Sequence, residues 1–457
     1  MIYVHVPFCR SFCTYCGFYS ELCSRKETQQ VQNRLFGDYA EAICEEIDSR
    51  REEISAARSF GAGCPENAPD VSAAPDTLYI GGGTPSVLPL PVLEKFVKAL
   101  GPTTYEEFTV EVNPDDVVAG GPEYVAGLRS LGVNRVSMGV QSFDDGILRW
   151  MNRRHDAAGA REAFRLLRAC GFDNISIDLI FSLSQLSKEG WVATVKEALA
   201  LRPEHISAYQ LSIEEDSALE RMVSDGRYSE ASDEQCRSQY DTLCRMLADE
   251  GYVHYEISNW ARPGREAVHN SAYWRRVPYV GLGPGAHSFS PGSAAHTFSP
   301  GIGTPSFSPE IRSWNSRELP NYEGTAPCAP LPTSSSGIRF WNAQELPRRE
   351  AGGRLVCWIA EQEVLSAAEA AEETTMLGLR TASGLPLSTL RALSPSAPID
   401  TLISKGALQL IPSSLNTPAA PTSTSAPAAC PTEDTLFVRI PEDHFFVSND
   451  IIAQLLP

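Results

Sequence analysis

The sequence predicts an α/β fold: a parallel sheet covered by helices and closed into a barrel or partial barrel, followed by a small C-terminal helical, winged-helix-like domain. Three observations predict it. Short runs rich in Val, Ile, Tyr and Phe recur up to about residue 290. Amphipathic stretches separate these runs, and strand–helix alternation of this kind implies parallel strands with crossover helices. After about residue 338 the pattern becomes helical.

The strand candidates are Ile2–Val6, Thr77–Ile80, Phe108–Val112, Arg135–Val140, Ile175–Phe181 and Ile206–Leu211. Their β-branched and aromatic content suits strands. Between them, Phe164, Leu167 and Cys170 share one helical face, as do Cys236, Tyr240, Leu243, Cys244 and Leu247. Three stretches lack the periodicity to bury a face and are expected as flexible loops: 57–75, 288–337 and 412–434. The second contains a Phe-Ser-Pro repeat at Phe289, Phe298 and Phe307, and Ile311-Arg312-Ser313-Trp314-Asn315 recurs as Ile338-Arg339-Phe340-Trp341-Asn342. The expected units are therefore a barrel over 1–290, an insertion or linker over 291–337, and a helical domain over 338–457. In that last part Ala360–Leu379, Leu387–Leu393 and Thr401–Gly406 read as helices. Leu408–Ile411 and Leu436–Ile440 read as a hairpin, and an apolar helix begins near Ser448.

The 457 residues carry a net charge of −19, which repels phosphate backbones and argues against a nucleic-acid partner. Twelve cysteines run through a long chain whose start, Met1–Val6, has no basic region followed by an apolar run. The expectation is a cytoplasmic protein with reduced thiols; composition leaves room for association with a membrane surface.

Cys9, Cys13 and Cys16 give the spacing C-x3-C-x2-C just after the first strand. Thiolates are soft ligands suited to iron–sulfur clusters. Three of them on a four-iron cube leave one iron open to chelate the amino and carboxylate groups of S-adenosylmethionine. A zinc site with Cys23 as fourth ligand, or three unconnected thiols, are the alternatives. Gly81-Gly82-Gly83-Thr84-Pro85 follows the second strand, where glycines let backbone approach a ligand. Glu111, Gln141 and Asp178 sit in or at the ends of the third, fourth and fifth strands, and an acid in an apolar strand is costly unless paired or bound.

The cysteine spacing resembles the hallmark of the radical S-adenosylmethionine superfamily. Tyr3-Val4-His5-Val6-Pro7-Phe8-Cys9, Gly139–Phe143, Tyr255–Asn259 and Gly281–Ser288 resemble, within it, the oxygen-independent coproporphyrinogen III oxidase group. The resemblance covers residues 2–290 and resumes at about 338. It implies a partial (β/α)6 radical-SAM barrel with a 4Fe–4S cluster on Cys9, Cys13 and Cys16. By family position it implies S-adenosylmethionine contacts at Tyr3, Tyr15, Gly82, Gly83, Thr84, Glu111, Gln141, Arg153, Asp178 and Ser212, some of which serve a second S-adenosylmethionine in the dehydrogenase branch.

Two branches compete. Coproporphyrinogen dehydrogenases carry another cysteine two positions after the third ligand and a long N-terminal extension; here that position is Phe18, and two residues precede Tyr3. His269-Asn270-Ser271-Ala272-Tyr273-Trp274 is similar to the HNxxYW motif of heme chaperones of the HemW type. The resemblance then implies heme bound through His269, Asn270, Tyr273 and Trp274. Imidazole is a common heme ligand, although a lone histidine is more often an ordinary polar residue. The expected function is transfer of heme to an acceptor protein, a membrane-bound respiratory enzyme being one candidate. Oxidative decarboxylation of coproporphyrinogen III and radical chemistry on an unrelated substrate are the other readings. The chain departs from the family after the fifth strand, where Ser182-Leu183-Ser184-Gln185 replaces a Gly-Leu-Pro-Gly-Gln-like turn.

Overall fold

The computed structural model describes residues 1–23, 28–60, 74–290, 337–346, 348–349, 355–356, 359–412 and 436–456. Six parallel strands are consecutive neighbours: β1 (Ile2–Val6), β2 (Thr77–Gly82), β3 (Glu107–Val112), β4 (Arg135–Gln141), β5 (Ile175–Phe181) and β6 (His205–Gln210). Val280–Leu282 extends the sheet in parallel outside β1, and Asn259–Ala261 and Val253–Glu256 continue it antiparallel beyond β6. Its order ends on different strands, so the sheet is an open, partial barrel.

Alternation along these strands sorts the side chains. Ile2, Val4, Leu78, Ile80, Phe108, Val110, Val136, Met138, Ile175, Ile177, Leu179 and Ile206 are all essentially inaccessible and belong to one apolar core with the covering helices. Each such side chain contributes roughly 1.5–3 kcal/mol by leaving water. The opposite face of the same strands presents Tyr79, Glu107, Thr109, Glu111, Arg135, Ser137, Ser176, Asp178, His205 and Ser207. Closed eight-stranded barrels fill that space with branched apolar residues; here it is polar.

The covering helices begin where the sequence offers caps. Asp156 accepts from the Gly159 N–H at 2.7 Å to start Ala157–Ala169, and Ser187 and Ser232 do the same for Lys188–Ala200 and Asp233–Asp249. Phe164 and Leu167 are buried as their spacing predicts, and so are Cys236, Tyr240, Leu243 and Leu247.

The expected helix over Ala360–Leu379 is corrected. Ile359–Leu365 is a strand, antiparallel to Gly337–Asn342, which in turn pairs with His287–Ser290. The helix starts only at Ala367, behind a capping box of Ser366 and Glu369. Helical periodicity cannot see such a boundary, because the polar run Glu361-Gln362-Glu363 reads equally as a solvated helix face.

The expected pair of strands forms: Gln409–Pro412 runs antiparallel to Leu436–Arg439, and Leu385–Pro386 adds a third strand. Helices Ala367–Leu379, Leu387–Leu393 and Ile399–Ser404 pack beside them. Of the three loop candidates, residues 61–73, 291–336 and 413–435 lie outside the described residues, and with them the copy at Ile311–Asn315; the copy at Ile338–Asn342 lies in a strand. No described helix is long and apolar enough to cross a membrane.

Candidate functional site

The polar interior of the barrel is a cavity of about 970 Å3. It runs from the loop after β1 down to Asn270, on the helix Val268–Trp274. Cys9, Cys13 and Cys16 line it together with Tyr15, Gly82, Gly83, Thr84, Glu111, Gln141, Arg153, Asp178 and Ser212. The structure thus brings together most of the residues singled out from sequence.

The cysteine loop is pinned from several elements. The Thr14 N–H donates to the Met151 carbonyl at 3.1 Å and its hydroxyl to the Trp150 carbonyl at 2.7 Å, while Asn152 donates to the Phe12 carbonyl at 2.7 Å. Arg153 reaches Cys13 Sγ at 3.3 Å and also holds the Gly139 carbonyl. Thr84, from the glycine turn, contacts Cys9 Sγ at 3.4 Å. Burial pushes the Cys16 thiol up to about 11 and raises that of Cys9. Cys23 faces away: its thiol is buried and donates to the Cys9 carbonyl at 3.3 Å, so it is not a fourth ligand here.

Among the described residues no three His, Cys, Asp or Glu side chains gather as a single-metal site. One zinc ion would need such convergence. A four-iron cube takes one thiolate per iron and does not. The donor set on this wall, three thiols beside a guanidinium and backbone N–H groups, fits a cluster with an open iron.

The glycine turn shows why glycine is needed. Gly82 has φ 111°, and a Cβ there would lie 2.8 Å from the His5 ring. A Cβ on Gly83 would lie 2.9 Å from the Phe8 carbonyl oxygen and 3.1 Å from Cys9 Sγ. Below it, Glu111 accepts from Tyr79 Oη at 2.8 Å and from the Gly82 N–H at 3.2 Å. Although the cavity leaves it half-buried, it sits deep in the fold, and burial pushes its carboxyl up to about 7 against those two hydrogen bonds. Asp178 is raised by burial too, with Ser137 donating at 3.1 Å and Ser176 at 3.4 Å.

Gln141 occupies φ 68°, and the Ser142 N–H closes a three-residue turn on the Val140 carbonyl at 2.9 Å. The β4–β5 register shifts between Gly139 and Gln141. A bulge re-aims the side chain, here onto the cavity wall. Backbone held in this sparsely populated region tends to mark functional positions.

Other expected residues lie differently. Tyr3 does not line the cavity; its hydroxyl bonds His5 Nδ1 at 3.0 Å. Ser212 is exposed and bonds Glu214. His269 is fully buried beneath the lumen. Its Nδ1 meets Thr77 Oγ1 at 2.7 Å and its Nε2 meets Tyr273 Oη at 2.8 Å, and burial pushes its pKa down to about 3. Both ring nitrogens are therefore engaged, and ligation of an iron by His269 would require one bond to open. Asn270 reaches the lumen, and Trp274 is half-buried at the end of the helix. Sequence reading missed Arg135, Ser137, Ser207 and Tyr79, which line the same cavity. Strict polar–apolar alternation in strands expected to be covered on one face was the available signal.

Residues 3–198 match the radical SAM superfamily. The chain is 33% identical to the heme chaperone HemW of Bacillus subtilis over 296 residues, covering 64% of this chain and 71% of that protein. It is 33% identical to the HemW of Lactococcus lactis over 294 residues, 64% of this chain and 69% of that one. The chain belongs to the HemW family of radical SAM proteins. Against the HemW of Synechocystis it spans 66% of the relative's length, again at 33% identity. Its fold is that of the coproporphyrinogen III oxidase HemN of Escherichia coli, with a TM-score of 0.65 over 100% of this chain and 89% of that one, at 19% identity.

Proposed function

We infer that this chain is a heme chaperone. It would hold a 4Fe–4S cluster through Cys9, Cys13 and Cys16, bind S-adenosylmethionine beside it, take up heme and pass it to an acceptor protein. The observation that carries the reading is the convergence of the cysteine loop, the glycine turn, Gln141 and Arg153 on one cavity mouth, in a chain whose curated relatives are named heme chaperones. A bound cluster supplies one-electron chemistry and an open coordination position for the ligand's amino and carboxylate groups.

The chain's own residues do the rest. Arg153 places a positive charge against Cys13, on the wall where the cluster would sit. The glycine turn leaves room for a ligand beside Cys9. Glu111, poised near neutrality, offers a carboxylate to hydroxyl groups of a bound nucleoside. Phe18, 75% exposed at the rim, supplies no thiol where the dehydrogenase branch has one, which favours transfer over decarboxylation.

The test uses anaerobically purified, cluster-reconstituted protein, titrated with heme by absorbance and assayed for coproporphyrinogen conversion. Stoichiometric heme binding without vinyl product is expected. Conversion to protoporphyrinogen without specific heme binding would overturn the reading in favour of the decarboxylating enzyme. The same titration on His269→Ala separates two roles: altered heme absorbance and at least tenfold weaker binding if the imidazole coordinates iron, an unchanged spectrum if it holds the floor of the barrel.

A further inference from the structure

Arg135 opens β4 and faces the lumen, level with Thr109 on β3. It is 1% exposed, and its Nε and Nη1 are buried without a hydrogen-bond partner among the described residues. The carboxylate within ion-pair range, Glu107, is 3.9 Å away, beyond hydrogen-bond reach. Glu107 is already committed: it accepts from the N–H groups of Val268 at 2.8 Å and His269 at 3.1 Å and from the Thr109 hydroxyl at 3.3 Å. Glu111 is held by Tyr79 and Gly82, and Asp178 by Ser137 and Ser176. Each lumen carboxylate thus has its own donors, and the guanidinium is left with unmet N–H groups. Glu107 offsets the charge, but buried N–H groups without an acceptor are costly unless something accepts from them.

The cavity has the capacity. At about 970 Å3 it lies at the upper end of the ~300–1,000 Å3 range of ligand pockets, while the cysteine loop and glycine turn occupy only its mouth. We propose that the lower lumen is a carboxylate-binding compartment, with Arg135 as the recognising cation and Ser207 and Asn270 on its walls. Guanidinium matches the planar carboxylate. Glu107, Glu111 and Asp178 share this space, so a dianion such as phosphate is disfavoured relative to a monoanion. The carboxylate can be a propionate arm of a porphyrin or a free small carboxylate; only the first source rests on the chaperone reading.

Thermal unfolding of the full, cluster-reconstituted chain with sodium propionate, against sodium chloride at equal ionic strength, tests the compartment. Hemin and its dimethyl ester, which lacks free carboxylates, test the source. Propionate should raise the Tm of wild type by several degrees and that of Arg135→Met not at all, with the ligand-free Tm of Arg135→Met no lower than wild type. Hemin should bind at least tenfold more tightly than the ester to wild type and equally to Arg135→Met. Arg135→Lys, which keeps the charge, should retain a reduced propionate response and carries the test if Arg135→Met does not fold. A propionate response in wild type with no hemin binding would uphold the compartment and overturn the heme reading alone. An equal propionate response in wild type and Arg135→Met, a large drop in the ligand-free Tm of Arg135→Met while Arg135→Lys is unaffected by propionate, or no wild-type response to either carboxylate would overturn the proposal.

Discussion

Ser182, just past β5, sits at φ 64°, with a buried hydroxyl that has no partner among the described residues. The family turn it replaces carries glycine, which takes this conformation freely. For serine the backbone costs about 1 kcal/mol, and the orphaned hydroxyl adds to it. Ser182→Gly should therefore raise unfolding stability by about 1 kcal/mol in urea; a loss would mean that the hydroxyl is satisfied in solution. Glu111 gives a second expectation. Burial holds its carboxyl at about 7, above the ordinary 4.5 of an unfolded chain, so the folded state binds more protons between those values. Stability from this group is present at low pH and lost as pH rises from about 4.5 through 7. Glu256, pushed up to about 7 by burial, acts in the same sense. Glu111→Gln should flatten the decline seen in denaturation at pH values either side of that window, and an unchanged slope would place the titration elsewhere.

The glycine turn and the cysteine loop behave as one element. A Cβ on Gly83 meets the Phe8 backbone and Cys9 Sγ rather than a movable side chain, so Gly83→Ala should displace the loop. The expected result is severalfold less iron per chain after reconstitution, with helix content unchanged; full iron incorporation would show that the loop adapts. At this scale the sequence was readable where a local signal exists. Ile175–Phe181 and Leu387–Leu393 begin and end where their patterns predict. The cysteine spacing and the glycine run sit at strand ends, and the structure brings them together. Legibility failed where the signal is tertiary. The Ile359–Leu365 strand depends on pairing with Gly337–Asn342, which periodicity does not report. The engagement of His269 by Thr77 and Tyr273 is tertiary in the same way, since they meet it only once the helix lies under the barrel. Arg135 was passed over because its isolation follows from what Glu107 is already bonded to.

Across the whole molecule, one buried polar cluster ties the barrel edge to the sheet that follows it. Glu46 accepts from the Gly283 N–H at 2.8 Å and from Asn342 at 2.7 Å, and Arg50 donates to Glu46 at 3.2 Å and to the Gly281 carbonyl at 2.7 Å. Asn342→Ala would leave a buried carboxylate oxygen short of a donor, at a cost of roughly 1–3 kcal/mol. Hydrogen exchange should rise in His287–Ser290 and Gly337–Asn342 while β3–β5 stay protected; uniform exchange would mean that the two sheets unfold together. The helix Val268–Trp274 has a different whole-molecule effect. With its N–H groups bonded to Glu107 and His269 wedged between Thr77 and Tyr273, it floors the lumen at the end away from the cysteine loop. A ligand held at the mouth would then stand between solvent and anything held below it, so the two would be expected to exchange in order rather than independently.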